Sequence, residues 1–195
     1  MKVIVINRKR LGVTIVIIGL MFVLFGLEKK FDGRLKYVAL MQNNINSLKA
    51  YEGLNRTFSY KLPSQWTTKE EKYEGNEVIY HNSFLSEDAI THGIVQVWNI
   101  KEDLKTFLDK SKMLNEQYSS AKNYNINPIT INKHEGYLVT YTTKTESGNV
   151  YKAYEYFIEN KNKFIRFSFF VREENFKENM PTIFKTIVET FNLKE

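Results

Sequence analysis

The sequence predicts an α+β protein in which an antiparallel β-sheet of about six to seven strands is sandwiched by helices, with one transmembrane helix at the N-terminus. Three observations support this prediction. Short segments rich in aromatic and β-branched residues are separated by polar, hairpin-like loops. Two longer segments carry apolar residues at helical spacing. An apolar run near the N-terminus is long enough to cross most of a bilayer.

The apolar run extends from Leu11 to Leu27 and contains no charged residue. As a helix it spans about 25 Å, close to the short limit for a hydrocarbon core of about 30 Å, and flanking basic side chains can extend to the headgroups. The alternative is a cleaved signal peptide, but no A-x-A-like cleavage site follows the run. We therefore expect an uncleaved anchor at residues 11–27, preceded by a basic tail at residues 1–10.

The net charge of +6 is concentrated beside this run. Residues 1–36 contain eight basic and two acidic side chains, whereas residues 37–195 contain equal numbers of both. Cations beside an apolar run meet anionic lipid headgroups, and the neutral remainder has no positive excess for phosphate binding. The sequence thus predicts the lipid bilayer as the partner of residues 11–27 and argues against nucleic acid.

The orientation in the membrane is only weakly encoded, because four basic side chains lie close to each end of the run. A short N-terminal tail that stays inside, with the large domain exported, is the commoner arrangement for a single span. We therefore expect a single-pass plasma-membrane protein with an extracytoplasmic domain. The absence of cysteine excludes disulfides, lipoprotein processing and thiolate chemistry.

Residues 28–55 are predicted to form a juxtamembrane connector that contains a helix. Apolar residues recur there at steps of three and four, at Leu35, Val38, Met41, Ile45 and Leu48. Such a stripe indicates a helix that packs on the domain or lies on the membrane, and we expect the first. Residues 56–195 are predicted to form the α+β domain.

Seven segments of this domain have the composition or alternation of strands. They are Thr57–Leu62, Glu77–Asn82, Ile94–Ile100, Ile129–Asn132, Tyr137–Lys144, Val150–Ile158 and Lys163–Val171. Polar turn residues predict hairpins between the last three. Alternate residues from Ile165 to Val171 are apolar, so this face of the last strand requires a covering helix.

Two helices are predicted against the sheet. Asp103–Lys122 carries apolar residues on one face and charged residues on the other. The closing helix begins near Asn179, a suitable N-cap residue, and has Pro181 in its first turn. Its apolar stripe runs from Ile183 to Phe191.

The segment Phe58–Trp66, which reads FSYKLPSQW, resembles the opening of PsbP-like (PsbP/Mog1-type) domains, where an aromatic strand runs into Leu-Pro or Ile-Pro and then Trp. The resemblance continues with Gly136 before a Tyr-rich hairpin, the aromatic strand around Phe164–Phe170, and a closing helix that ends at Ile187–Phe191. It implies an antiparallel sheet between helices over about residues 56–193, as in bacterial membrane-anchored relatives. It implies no activity, because the family has no catalytic motif to match.

Motifs for catalysis and nucleotide binding are absent from the sequence. G-x-S-x-G, G-x-x-x-x-G-K-[ST] and G-x-G-x-x-G do not occur. The paired carboxylates Glu70–Glu71 and Glu173–Glu174 lie in charged segments, where solvation is their ordinary role. We expect a protein that is not an enzyme and that binds no cofactor.

The histidines are the weak candidates for a metal site. His81, His92 and His134 are separated by 11 and 42 residues, a spacing that matches no metal-binding motif. His81 and His92 can still meet across neighbouring strands, near Glu87 or Asp88, but solvent-exposed histidines are the simpler interpretation. We expect no metal.

Three tyrosines of the strand Val150–Ile158 are the weak candidates for partner binding. Side chains of a strand alternate between its two faces, so Tyr154 and Tyr156 share one face and Tyr151 lies on the other. One of these faces can therefore present aromatic rings at a surface. Such a surface suits protein docking or glycan stacking. The alternative is that the Asp103–Lys122 helix covers it.

Together these expectations describe a membrane-anchored, non-catalytic domain that binds a protein partner in envelope assembly or sensing. A pilin-like subunit is a second interpretation, with processing at Gly12 that leaves Val13 first, although Ile17 stands where pilins usually carry Glu. An envelope enzyme with a metal at His81 or His92 is a third.

Overall fold

A computed structural model describes residues 17–18, 20–21, 33–43, 45–75, 77–118 and 121–194. The helices are α1 (Leu104–Tyr118) and α2 (Met180–Val188). Residues 33–42 are also helical and are called the N-terminal helical segment. The strands are β1 (Leu48–Gly53), β2 (Phe58–Pro63), β3 (Thr67–Glu70), β4 (Val78–Leu85), β5 (Thr91–Asn99), β6 (Lys122–Ile131), β7 (His134–Lys144), β8 (Val150–Asn160), β9 (Lys163–Arg172) and β10 (Asn192–Leu193).

The strands form two antiparallel sheets. The large sheet has seven strands in the order β3-β4-β5-β9-β8-β7-β6, and the small sheet has three in the order β1-β2-β10. The predicted α+β class and the predicted antiparallel sheet are therefore confirmed. The aromatic strand predicted at Thr57–Leu62 forms as β2, but it belongs to the small sheet.

The inner face of the large sheet carries the main core. Alternate residues of β9 from Ile165 to Val171 are almost completely buried there, as their spacing predicts. The helix α2 and the small sheet pack on this face. Phe184 of α2 stacks on Phe169 of β9 with 4.4 Å between ring centroids and 10° between ring planes.

The motif that resembles PsbP-like domains has a structural role in this core. Trp66 stacks on Phe84 of β4, with 5.3 Å between ring centroids, and is 8% exposed. The backbone N–H of Trp66 donates to the carbonyl of Pro63, which closes the turn between β2 and β3. Pro63 ends β2, where a residue without an N–H is tolerated.

The helix α1 covers one half of the outer face of the large sheet. Leu104 and Leu108 form a second core cluster with Val139, Phe157 and Phe164. Most side chains of the other half are exposed or half-buried. The helix predicted at Asp103–Lys122 was expected to cover this face, and it covers one half of the face.

The connector predicted at residues 28–55 contributes more to the domain than one helix. The helix is present at residues 33–42, but the apolar stripe divides. Ile45 lies beyond the helix in the main core, and Leu48 begins β1, which pairs with β2 along its whole length. The domain therefore begins before residue 56. The sequence did not predict β1 because the apolar residues of the helix and the first residue of the strand follow one helical spacing.

The N-terminal helical segment and α2 are linked by polar side chains. Asn179 precedes α2 and Pro181 lies in its first turn, as predicted, but the Asn179 side chain does not cap the helix. Its Nδ2 donates instead to Gln42 Oε1 at 2.9 Å. Lys36 Nζ lies 2.8 Å from Glu189 Oε2 at the other end of α2.

The predicted tail at residues 1–10 lies outside the described residues, and so does most of the anchor at residues 11–27. Residues 17–18 and 20–21 are described, and they are helical and exposed. Within the described part of the chain, no helix has both the length and the apolar character needed to cross a membrane.

Candidate functional site

A band of polar side chains crosses the middle of the outer face of the large sheet. This polar band consists of His81 on β4, Gln96 on β5, Arg166 and Ser168 on β9, Glu155 on β8 and Tyr141 on β7. His81, Gln96 and Arg166 lie opposite one another across three strands. The polar band separates the half of the face that α1 covers from the half that it leaves open.

Gln96 fixes the proton position of His81 at one end of the band. Trp98 Nε1 donates to Gln96 Oε1 at 2.9 Å, so the amide nitrogen of Gln96 donates to His81 Nδ1 at 2.8 Å. Neutral His81 therefore carries its proton on Nε2, which lies 4.0 Å from Glu71 Oε2. Burial lowers the pKa of His81, and the nearby Glu71 charge opposes this only in part.

An ion pair between Arg166 and Glu155 forms the other end of the band. Arg166 Nη2 donates to Glu155 Oε1 at 2.6 Å, and its Nε donates to Ser168 Oγ at 2.8 Å. The Tyr141 hydroxyl donates to the same Glu155 oxygen at 3.2 Å. Burial and, secondarily, the Glu155 charge raise the pKa of Tyr141, so its hydroxyl remains a donor. The guanidinium also lies over the Phe157 ring.

The other half of the outer face carries an aromatic cluster. We call this half the open face and define it by Ser83, Leu85, His92, Ile94, Thr143, Tyr151, Phe170 and Arg172. His92 stacks on Phe170, with 5.5 Å between ring centroids, and meets Tyr151 edge-on at 5.4 Å. Arg172 Nε donates to the Tyr151 hydroxyl at 3.3 Å. His92, Leu85 and Arg172 are exposed.

A close approach of β5 to β9 brings His92 over Phe170. Gly93 follows His92, and a Cβ at this position would lie 1.9 Å from the Ser168 carbonyl oxygen. Only glycine permits this approach. In the register of the two strands, His92 of β5 lies directly opposite Phe170 of β9.

The structure separates the two weak metal candidates. His81 lies in the polar band, whereas His92 lies opposite Leu85, four residues along β4 from His81, or about 13 Å at strand spacing. Asp88 accepts hydrogen bonds from Ser86 Oγ at 2.6 Å and closes the β4–β5 turn. Among the residues that the structure describes, no three His, Asp or Glu side chains come together in a way that would hold a metal ion.

The three tyrosine candidates are divided between the two faces. Tyr156 is 3% exposed on the inner face. Tyr154 lies on the same side, where it stacks on Phe176 and packs against Phe184. Tyr151 lies on the open face. Both faces of β8 carry aromatic rings, so the sequence does not reveal which face α2 covers. Tyr151 and Tyr154 are both half-buried, and Tyr151 is the one that lies on the open face.

Sequence reasoning missed His92, Phe170, Leu85 and Arg172 as parts of a surface. The alternation of β9 could have revealed two of them, because Phe170 and Arg172 alternate with the buried residues of that strand and so lie on its other face. The contact of Phe170 with His92 depends on the pairing of β5 with β9, which are separated along the chain by a helix and three strands. No local pattern encodes that pairing.

We expect the stability of the domain to fall as the pH drops below about 6.5, the ordinary pKa of histidine. Loss of hydration lowers the pKa of both histidines, because His81 is buried and the ring of His92, although partly exposed, packs against Phe170 and Tyr151. The unfolded chain then binds protons that the folded chain does not, so stability is lost from about pH 6.5 down to each lowered pKa. Urea unfolding between about pH 7.5 and 5.5 measures this dependence. An unchanged slope in the double variant His81→Gln/His92→Gln would contradict the assignment.

We expect Arg166→Met to lower the free energy of unfolding by about 3–5 kcal/mol, because it leaves the Glu155 carboxylate buried without its partner. The double variant Arg166→Met/Glu155→Leu removes both charges and should recover most of that loss. Urea unfolding of Arg166→Met, of Glu155→Leu and of the double variant gives the coupling energy between the two side chains. A double variant that is less stable than Arg166→Met would show that the pair is not the main role of these residues.

No family model and no curated protein matches this sequence. Several solved structures are similar to it. Cyanobacterial PsbP (CyanoP) from Synechocystis sp. PCC 6803 has a TM-score of 0.59 and 18% identity, over 77% of this chain and 94% of that one. A protein from Bacteroides thetaiotaomicron has a TM-score of 0.53 and 15% identity, over 75% of this chain and 48% of that one.

LpqN, which is involved in cell envelope biogenesis of Mycobacterium tuberculosis, has a TM-score of 0.51 and 9% identity, over 77% of this chain and 93% of that one. At such identities the likeness shows the fold alone. The PsbP-like domain implied by the sequence is confirmed at that level, and the described chain has a PsbP-like α+β fold.

Proposed function

We propose that this chain is a non-catalytic domain, held at the outer surface of the plasma membrane by residues 11–27, that binds a protein partner in envelope assembly or sensing. The observation that carries the proposal is the aromatic cluster of His92, Phe170 and Tyr151 on the open face. It lies on the half of the sheet that α1 does not cover.

The open face has the composition of a protein interface. Aromatic rings surrounded by polar side chains are typical of such surfaces, and Tyr and Arg are enriched among the residues that dominate binding energy. The His92 ring contacts the rings of both Tyr151 and Phe170. Because these side chains are already held in place, a partner would lose little binding energy to ordering them.

The polar band supports a structural role for the ionisable groups of this face. A general acid or base needs an ionisable atom within reach of a substrate proton. His81 Nδ1 already accepts from Gln96, and Glu155 Oε1 accepts from both Arg166 and Tyr141. These atoms hold the sheet surface together, which favours binding over catalysis.

The tether and its location rest on the sequence and on one fold neighbour. Residues 11–27 are uncharged and apolar, and the positive excess of the chain lies within residues 1–36. LpqN shares the fold and is involved in cell envelope biogenesis in its own organism. Both observations support an envelope location for the domain.

We expect Leu85→Asp and Tyr151→Ser to weaken partner binding at least about tenfold, because each removes apolar contact area from the open face. The measurement is recovery of a defined complex after mild detergent extraction of membranes. Leu114→Asp is the matched control, since Leu114 is 57% exposed on α1. Equal recovery with open-face and control variants, or a solitary wild-type protein, would contradict binding through this face.

We expect external protease to remove the domain from intact cells, because an extracytoplasmic domain is accessible and the tether is not. The readout is an immunoblot for the domain before and after treatment, with lysed cells as the control for protease sensitivity. A domain that survives on intact cells and is cleaved after lysis lies on the cytoplasmic side, which would contradict the proposed location.

A further inference from the structure

The N-terminal helical segment exposes an apolar surface. Leu35, Tyr37, Val38 and Met41 are 62%, 65%, 47% and 47% exposed. At about 100° per residue they occupy one side of the helix, and exposed Arg34 lies among them. A helical surface with several large apolar side chains indicates a contact outside the domain.

The other side of the segment is attached to the domain. Ala39 is 4% exposed in the main core, and Leu40 packs against that core. Lys36 pairs with Glu189, and Gln42 accepts a hydrogen bond from Asn179. The apolar surface therefore has a fixed direction. It points away from the domain on the α2 side of the large sheet, whereas α1 and the open face lie on the opposite side.

We propose that this apolar surface lies in the headgroup region of the bilayer that holds residues 11–27, so that the domain rests on an anionic lipid surface through the helical segment. The inference rests on the proposed tether. Helices with one apolar face and neighbouring basic residues bind such interfaces. Tyr37 has the amphipathic character of side chains found at the boundary between lipid and water.

The length of chain between the apolar run and the segment supports this occupant. Leu27 and Gly33 are six residues apart, so even a fully extended chain separates them by no more than about 22 Å. The segment therefore starts close to the end of the proposed span. A second copy of the chain has no comparable constraint that would bring it to this surface.

The charges beside the segment favour the same occupant. Lys29, Lys30 and Arg34 lie between the apolar run and the exposed apolar side chains, and Glu28 and Asp32 oppose them only in part. A basic residue close to an anionic membrane surface contributes about 1 kcal/mol to binding. The apolar surface and the basic residues beside it are thus both suited to the surface of an anionic bilayer.

A fluorescence experiment on the full chain tests the proposal. Because the sequence contains no cysteine, one introduced cysteine carries one label. Met41→Cys bears an environment-sensitive dye on the apolar surface. Met113→Cys is the matched control, because Met113 is 69% exposed on α1, across the large sheet. Both variants are reconstituted into phosphatidylcholine–phosphatidylglycerol vesicles that contain a spin-labelled lipid quencher.

We expect the quencher to reduce the fluorescence of the label at position 41 about twofold and to leave the label at position 113 nearly unchanged. An alkaline carbonate wash of the same vesicles tests the tether separately. If the chain resists the wash but its label at position 41 is not quenched, the inference is overturned and the proposed tether is supported. A chain removed by the wash overturns both.

A second measurement tests the competing occupant. Pyrene attached at position 41 shows excimer emission when two copies of the helical segment meet. Excimer emission together with an unquenched label at position 41 would assign the apolar surface to a second copy of the chain and would overturn the inference. Lipid quenching without excimer emission supports it.

Discussion

The packing of α2 on the inner face of β9 is the contact on which the other parts of the domain depend. Phe184 and Phe169 stack with both rings almost completely buried, which fixes α2 on the large sheet. The residues around the end of α2 then hold the remaining pieces. Thr190 Oγ1 accepts from the backbone N–H of Lys61 in β2, and Glu189 pairs with Lys36. The small sheet and the helical segment are thus placed through α2.

The polar band explains why α1 covers only one half of the outer face. On the α1 side of the band, the sheet offers apolar side chains such as Val139 and Phe164 to Leu104 and Leu108. At the band the surface changes to ionised Arg166 and Glu155, which satisfy each other. The Arg166 side chain is still 23% exposed, and a helix packed across it would remove this charge from water at a desolvation cost. The open face is therefore a consequence of where the ion pair lies.

The sequence predicted those parts of the fold that local patterns encode. Turn residues after Lys144 and Asn160 marked the hairpins of the large sheet, and apolar stripes marked α1 and α2. The strand β1 was missed because its residues continue a helical stripe, although they pair with β2 along the whole strand. The open face was missed because His92 meets Phe170 only through long-range pairing. Sequence parity identifies alternate faces, but tertiary packing decides which face is covered.

On the proposed arrangement, the two sides of the domain make contacts of different physical kinds. The positive excess lies within residues 1–36 and the rest of the chain is neutral, so attraction to anionic lipid acts near the helical segment and weakens as salt screens it. The open face relies on aromatic contact area, with Arg172 as one of its few charged groups. Binding there depends mainly on shape and apolar burial, which salt affects little. If the helical segment rests on the bilayer as proposed, the large sheet lies between it and the open face, and the open face is directed away from the lipid.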